Sequence, residues 1–305
     1  MNQLEFLDGG MIYELNKVYN DLGQKALLEN PELILDIYQS YLDLGCTYLT
    51  TCNYGYKSLK LDNWEFLVNR AVNIMNTVKD RNTGKKIKIL GSLPPYFESY
   101  HSGTVDSKFS EFYRKLVKQM DTMVDYYILE TQVSISHIEE ILKIIKENSN
   151  RQSKSQVQKK IIVSIYPAGE VSYLELAHII YLYSDLLEGI MVNCCSLEDV
   201  MMFFQTHIYP LKLPSLNVKF GFYCNKIDEK KYRDYEGNKK DSVKITDFYE
   251  NKNLDFDKLD KFLQILYLEG YHVIVGGCCG YGKHEMKELI HQIKYLHVMG
   301  TSSNL

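Results

Sequence analysis

Several familiar signals are missing from this chain of 305 residues, and each absence narrows what it can be. No apolar run approaches the roughly 18 residues that span a membrane. The opening Met1-Asn2-Gln3-Leu4-Glu5 lacks the basic and apolar regions of a signal peptide, so a soluble, cytoplasmic protein is expected. The formal charge of −4, with acids and bases mixed along the chain, gives no basic stripe, which removes nucleic acid as an expected partner. No phosphate-binding glycine fingerprint follows the first strand candidate, which weighs against a doubly wound nucleotide fold. The seven cysteines are odd in number and lack small-domain spacing. In a reducing compartment that pattern favours metal binding or catalysis over disulfides.

What the sequence does contain is a regular alternation. Short β-branched or apolar runs at residues 4–8, 46–51, 87–92, 126–130, 160–165, 189–194, 218–223 and 272–277 read as strands. Between them helical periodicity runs through 31–44, 63–79, 107–123, 136–147, 171–187, 197–206, 256–269 and 283–298. Eight βα units in one chain of this length predict an α/β fold, a single (β/α)₈ TIM barrel occupying residues 1–305. Two segments fall outside the repeat. The polar stretch 148–159 reads as a solvated loop on the face away from the chemistry, and the charged, tyrosine-bearing insertion 226–254 after strand seven is a candidate lid.

Catalytic groups in such barrels gather at the C-terminal ends of the strands. The most informative of these ends is Val273-Ile274-Val275-Gly276-Gly277-Cys278-Cys279-Gly280. Successive side chains of a strand point to opposite faces, so the paired cysteines share a site only if the backbone leaves the pleat, which the two preceding glycines would permit. Strand six ends in Asn193-Cys194-Cys195 and strand seven in Tyr223-Cys224-Asn225. Cys278, Cys279 and one cysteine of strand six would make a Cys₃ zinc site with its fourth position open. Cys194, which continues its strand directly, is preferred over Cys195 as the third ligand, and Cys224 is a neighbour. Three thiolates make zinc a weak Lewis acid for hydrolysis but suit it to holding a substrate thiol as a nucleophilic thiolate. Asp8 and Glu130, at the ends of strands one and four, can then clamp a substrate ammonium, with the backbone N–H groups of Gly9-Gly10 and Thr51 near its carboxylate. A small amino acid carrying a thiol satisfies all three features.

With these residues in view, the chain resembles the homocysteine S-methyltransferase family over nearly its whole length. The likeness rests on Leu7-Asp8-Gly9-Gly10-Met11 with Glu14-Leu15, the Gly45 to Tyr54 segment, Gly91-Ser92 with Pro95-Tyr96, Glu130-Thr131, Val192-Asn193-Cys194 and Gly276 to Gly280. It implies a (β/α)₈ barrel, zinc on Cys194, Cys278 and Cys279, and homocysteine held by Asp8 and Glu130 at its amino group, with Gly9 and Thr51 near its carboxylate. The implied reaction moves a methyl group to the homocysteine thiolate to form methionine. The absence of a betaine-enzyme extension or of cobalamin domains leaves a sulfonium donor, S-methylmethionine or S-adenosylmethionine, as the expectation. Tyr54, Tyr96, Tyr166 and Tyr223 are the aromatic candidates for its cationic sulfur. The chain departs from the family pattern at Ile12-Tyr13, at Cys52-Asn53 and at Tyr281-Gly282-Lys283, all bordering the expected pocket. Another small thiol or selenol acceptor such as selenohomocysteine, and a non-catalytic zinc or thiol barrel, are the alternative readings; the oligomeric state is left open, a monomer included.

Overall fold

The apolar runs form eight parallel strands: β1 (Leu4–Phe6), β2 (Tyr48–Thr50), β3 (Lys88–Leu93), β4 (Tyr126–Ser134), β5 (Lys160–Glu170), β6 (Leu187–Asn193), β7 (Lys219–Cys224) and β8 (Val273–Gly277). These come from a computed structural model that describes residues 3–19, 23–55, 63–151, 158–227 and 254–302. Neighbours in space run β1-β8-β7-β6-β5-β4-β3-β2. The remaining seam is joined by a parallel bridge between Leu7 and Tyr48. Thr47 N–H donates to Phe6 O (2.9 Å) and Asp8 N–H to Tyr48 O (3.0 Å) across it. The (β/α)₈ barrel read from the sequence is thus the observed architecture.

Helices α1 (Met11–Asn16), α2 (Gln24–Glu29), α3 (Pro31–Leu44), α4 (Trp64–Arg81), α5 (Ser107–Met120), α6 (Ile135–Arg151), α7 (Tyr173–Leu182), α8 (Leu197–Phe203), α9 (Phe256–Leu268) and α10 (Lys283–Ser302) accompany the strands. Their starts follow capping chemistry. Asn30 caps α3, with Pro31 in its first turn and left-handed Gly45 closing it, and Asp106 accepts the Phe109 N–H at the start of α5. Ser196 and Asp199 form a reciprocal capping box that launches α8 immediately after the cysteines of β6. Among the described residues, no helix is long and apolar enough to cross a membrane. Within the insertion 226–254, residues 228–253 lie outside the described ones, as do residues 152–157 of the polar loop.

Period-two alternation sorts the strand side chains. Ile89, Phe220, Phe222 and Val275 face outward into the large core under the helices, while Leu7, Leu90, Ile128, Ile162, Met191, Tyr223 and Ile274 fill the barrel interior. The N-terminal end of the interior is closed by a charged layer rather than an apolar one. Lys219 Nζ contacts Glu188 Oε1 (2.7 Å) and Glu5 Oε2 (2.5 Å), Lys88 Nζ contacts Glu5 Oε1 (2.6 Å), and both ammonium groups donate to the Tyr48 hydroxyl (2.9 and 2.7 Å). Two lysines and two glutamates balance there. That layer plugs the bottom of the barrel and leaves the C-terminal mouth as the end available for a ligand.

Candidate active site

Two local departures from the pleat bring the thiols together. Alternation places Asn193 inside and would send Cys194 outward. Cys194 instead adopts a left-handed backbone, φ 55°, which turns its Sγ back over the mouth. Cys195, one residue on, returns to the outer core and is 1% exposed. On β8, Cys278 continues the inward set after Ile274 and Gly276. The chain then turns, Tyr281 N–H donating to Cys278 O (3.0 Å), with Gly280 at φ 83° in the third position of the turn. Cys279 therefore lies in a turn and not on a strand. This corrects the expectation that Gly276 and Gly277 supply the positive φ: both stay in β8, and Gly280 provides it. The need for glycine at 277 is close packing, since a Cβ there would lie 2.3 Å from Tyr281 Cβ and 2.7 Å from Met286 Sδ.

The Sγ atoms of Cys194, Cys278 and Cys279 lie within 4.8 Å of one another. The sulfurs of Cys194 and Cys278 are 2.7 Å apart. Tetrahedral zinc with Zn–S bonds of about 2.3 Å needs sulfurs roughly 3.8 Å apart, a spacing inside this range. Hydrogen bonds from Cys194 and Cys278 hold the Cys279 thiol well below its ordinary value, while hydrogen bonding to Cys194 and Cys279 holds Cys278 well above. Without a cation the three sulfurs oppose one another's ionisation; a divalent metal would allow all three to ionise. The donor set, soft, converging and partly exposed at Cys278 and Cys279, fits zinc. Cys224 is buried in the outer core and stands apart from the triad, its thiol pushed up to about 12 by burial.

Asn193 orients the Cys194 side of the triad. Its Nδ2 donates to Cys194 Sγ (3.2 Å) and to Thr131 Oγ1 (2.8 Å), and its Oδ1 accepts from Ser164 Oγ (2.7 Å) and the Thr131 N–H (3.3 Å). Such an amide fixes the direction of a ligating sulfur and tempers its charge.

Two carboxylates lie at the same mouth, Glu130 within electrostatic reach of Cys194 and Cys279, and Asp8 within reach of Glu130. Asp8, 4% exposed, accepts the Thr50 N–H (2.7 Å) and the Thr50 hydroxyl (3.2 Å). Burial pushes its carboxyl well above the usual range despite the Thr50 backbone bond, and the neighbouring Glu130 adds to the rise. Burial likewise pushes Glu130 up to about 7, against the hydroxyl of Ser92 that donates to it. Neither acid pairs with a lysine, arginine or histidine among the described residues. Two desolvated acids that repel each other and have no cation among the described residues form a receptor for one.

Thr51 supports this pair from behind. Its hydroxyl donates to Asn53 Oδ1 (2.6 Å) and accepts the Ser92 N–H (2.9 Å), and its own N–H donates to Leu90 O (2.9 Å). The Gly10 N–H is likewise taken, by Tyr281 O (2.8 Å). Of the three N–H groups considered for a substrate carboxylate, only that of Gly9 has no partner among the described residues.

The tyrosines divide. Tyr54 lies beside Cys194, its hydroxyl 2.8 Å from Ser99 Oγ, and Tyr166 packs in one small cluster with Cys194, Val133 and Cys278. Tyr223 lines the barrel interior next to Cys278. Tyr96 is held elsewhere, against Phe97, Phe109 and Phe112 with centroids 5.1 to 5.5 Å away. The structure adds a ring that sequence reasoning missed. Tyr100, left-handed at φ 69°, packs 4.5 Å from Tyr166 and against the triad. It sits in a loop well beyond the end of β3, where no periodicity or strand-end rule points.

An eight-stranded α/β barrel with three converging thiols and two buried acids at its C-terminal mouth defines a barrel enzyme whose chemistry is built on strand ends. Residues 5–293 match the family described as homocysteine S-methyltransferase, and the chain belongs to that family of methyltransferases. The homocysteine methyltransferase MmuM from Escherichia coli in its metallated form superposes with a TM-score of 0.67 at 19% identity, covering 95% of this chain and 96% of that one. Its apo form gives 0.64 at 18% identity, with the same coverage. SacUVDE gives 0.51 at 11% identity over 97% of this chain and 99% of that one. At these identities the structural likeness speaks for the fold. No curated protein sequence matches the chain.

Proposed function

We propose that this chain is a zinc-dependent homocysteine S-methyltransferase that uses a sulfonium donor, S-methylmethionine or S-adenosylmethionine. The observation that carries the reading is the juxtaposition of Cys194, Cys278 and Cys279 with Asp8 and Glu130, a pair without a cation among the described residues. One end of that site suits a thiol and the other an ammonium. The metallated form of the E. coli relative supports a metal at the thiol end.

Cys194, Cys278 and Cys279 would hold the zinc. When bound, zinc would take the acceptor thiol as a further sulfur ligand and lower its pKa from about 8.5, so that a nucleophilic thiolate is available at neutral pH. The chain's own residues do the rest. Asp8 and Glu130 bind the ammonium and fix the acceptor's distance from the donor. Ser92, braced by Thr51 and Asn53, holds Glu130 in place, and Gly9 N–H is the available donor to the carboxylate. The acceptor sulfur attacks the donor methyl in line, the S–CH₃ bond of the sulfonium breaks, and its electron pair leaves on a neutral thioether. A thiolate and a sulfonium thereby become two thioethers, with no proton to move at the transition state. Most of the acceleration comes from positioning. Tyr54, Tyr100 and Tyr166 present aromatic faces beside the thiols for the cationic sulfur. Tyr96, turned into its own aromatic cluster, is the candidate least suited to that role.

The test is methionine formation by zinc-loaded protein from homocysteine with S-methylmethionine, S-adenosylmethionine and betaine in parallel, against Cys278→Ala. Turnover with a sulfonium donor, abolished in the variant, is expected. Turnover with betaine alone would refute the donor assignment. Loss of none of the activity in Cys278→Ala would refute the metal's part.

A further inference from the structure

Tyr223 stands between the two strands that carry the thiols. It registers with Asn193 on β6 and with Gly276 on β8, and its carbonyl accepts the Cys194 N–H (3.2 Å). Alternation along β7 sends Phe220 and Phe222 under the helices and Tyr223 into the barrel, where Cys278 packs against the same cluster. The side chain is 4% exposed, and its hydroxyl makes no hydrogen bond among the described residues. The hydroxyl beside it, Ser164, commits its proton to Asn193 Oδ1 (2.7 Å). The Glu130 carboxylate lies within electrostatic reach of Tyr223. Buried polar atoms are nearly always paired, so a phenol with no partner within hydrogen-bond distance among the described residues, beside a hydroxyl that has given its proton to Asn193, points to a missing ligand atom.

The proposed acceptor has a group that fits. A primary ammonium carries three N–H donors in threefold array, and Asp8 and Glu130 meet two of them from β1 and β4. β6 and β7 are the two strands that most nearly complete that division of the eight-membered ring into thirds, and of these β7 carries the inward phenol. A neutral oxygen there satisfies the last donor without placing a third anion in the site. We infer that the Tyr223 hydroxyl is the third hydrogen-bond partner of the homocysteine ammonium, making Tyr223 a specificity-determining residue for α-amino thiols. This rests on the proposed function and assigns Tyr223 to the acceptor instead of the methyl donor.

The experiment is calorimetric titration of homocysteine, and of its des-amino analogue 4-mercaptobutanoate, into reduced, zinc-loaded wild type and Tyr223→Phe. The variant should bind homocysteine about tenfold more weakly, as expected for one hydrogen bond to a charged group. The two proteins should bind 4-mercaptobutanoate equally. Thermal stability of the ligand-free variant should be unchanged or higher, because the deleted hydroxyl has no partner within hydrogen-bond distance among the described residues; a fall would show a structural bond and overturn the inference. Equal homocysteine affinity, or an equal loss with the des-amino thiol, would also overturn it while leaving the proposed function standing. A wild type that binds neither thiol would bring down both.

Discussion

Glu130→Gln separates the cost of the acidic pair from its use. Burial lifts the Glu130 carboxyl from an ordinary 4.5 to about 7. A shift of that size corresponds to about 3 kcal/mol, an upper bound because the side chain is only half-buried. The sign follows from linkage. A carboxyl whose folded pKa is raised is neutral in both states below the unfolded value, so its full stability is present there. That stability is lost as pH rises from about 4.5 through about 7, where the unfolded chain ionises first. Glutamine has the same shape, accepts from Ser92 and never ionises. Metal-free, reduced Glu130→Gln should therefore be more stable than wild type at pH 8, by up to about 3 kcal/mol, and equal to it near pH 4. Homocysteine affinity should move the other way, weakening by ten- to a hundredfold for the lost charged contact. Urea unfolding across pH 4 to 8, paired with titration of homocysteine into the zinc-loaded forms, reads both effects. Unfolding curves of the two proteins that stay parallel across the whole range would refute the claim that this acid is held protonated by burial.

Further consequences follow from the same geometry. Cys194→Ser should lose tight zinc binding, whereas Cys195→Ser and Cys224→Ser, whose thiols lie in the outer core, should keep stoichiometric metal; elemental analysis after dialysis against a weak chelator distinguishes them. Lys219→Ala should cost on the order of 3–5 kcal/mol in chemical unfolding, because it leaves Glu5 and Glu188 short of a cation in the charged layer that closes the barrel. Gly277→Ala forces a Cβ against Tyr281 and Met286 and should destabilise by about 1–3 kcal/mol, read in the same assay.

Much of the barrel was legible because strand and helix periods differ. The runs at Lys160, Val273 and Phe256 begin elements within a residue of where the pattern places them. The differences have local causes. β4 and β5 extend past the apolar runs to Ser134 and Glu170, because their polar ends go on pairing through Gln132–Ile165 and Ser134–Glu170 across register shifts. The helix expected over 171–187 ends at Leu182, and β6 takes up Leu187; Leu186-Leu187 suits either element, and only the turn at Tyr183 decides. α1 and α2, six residues each, are too short to show a period. At the site, the residue types at the strand ends pointed to three thiols and two acids, and the three thiols converge in the fold. The φ of Cys194, the turn at Gly280 and the return of Tyr100 over the triad are tertiary facts that no residue pattern encodes.

The measurement that bears most directly on the account is X-ray absorption at the zinc edge of the loaded protein, before and after homocysteine. Three sulfur ligands rising to four on addition of homocysteine, and staying at three with the S-methylated product, is the predicted result. A first shell that already holds four protein ligands and does not change with homocysteine would contradict it.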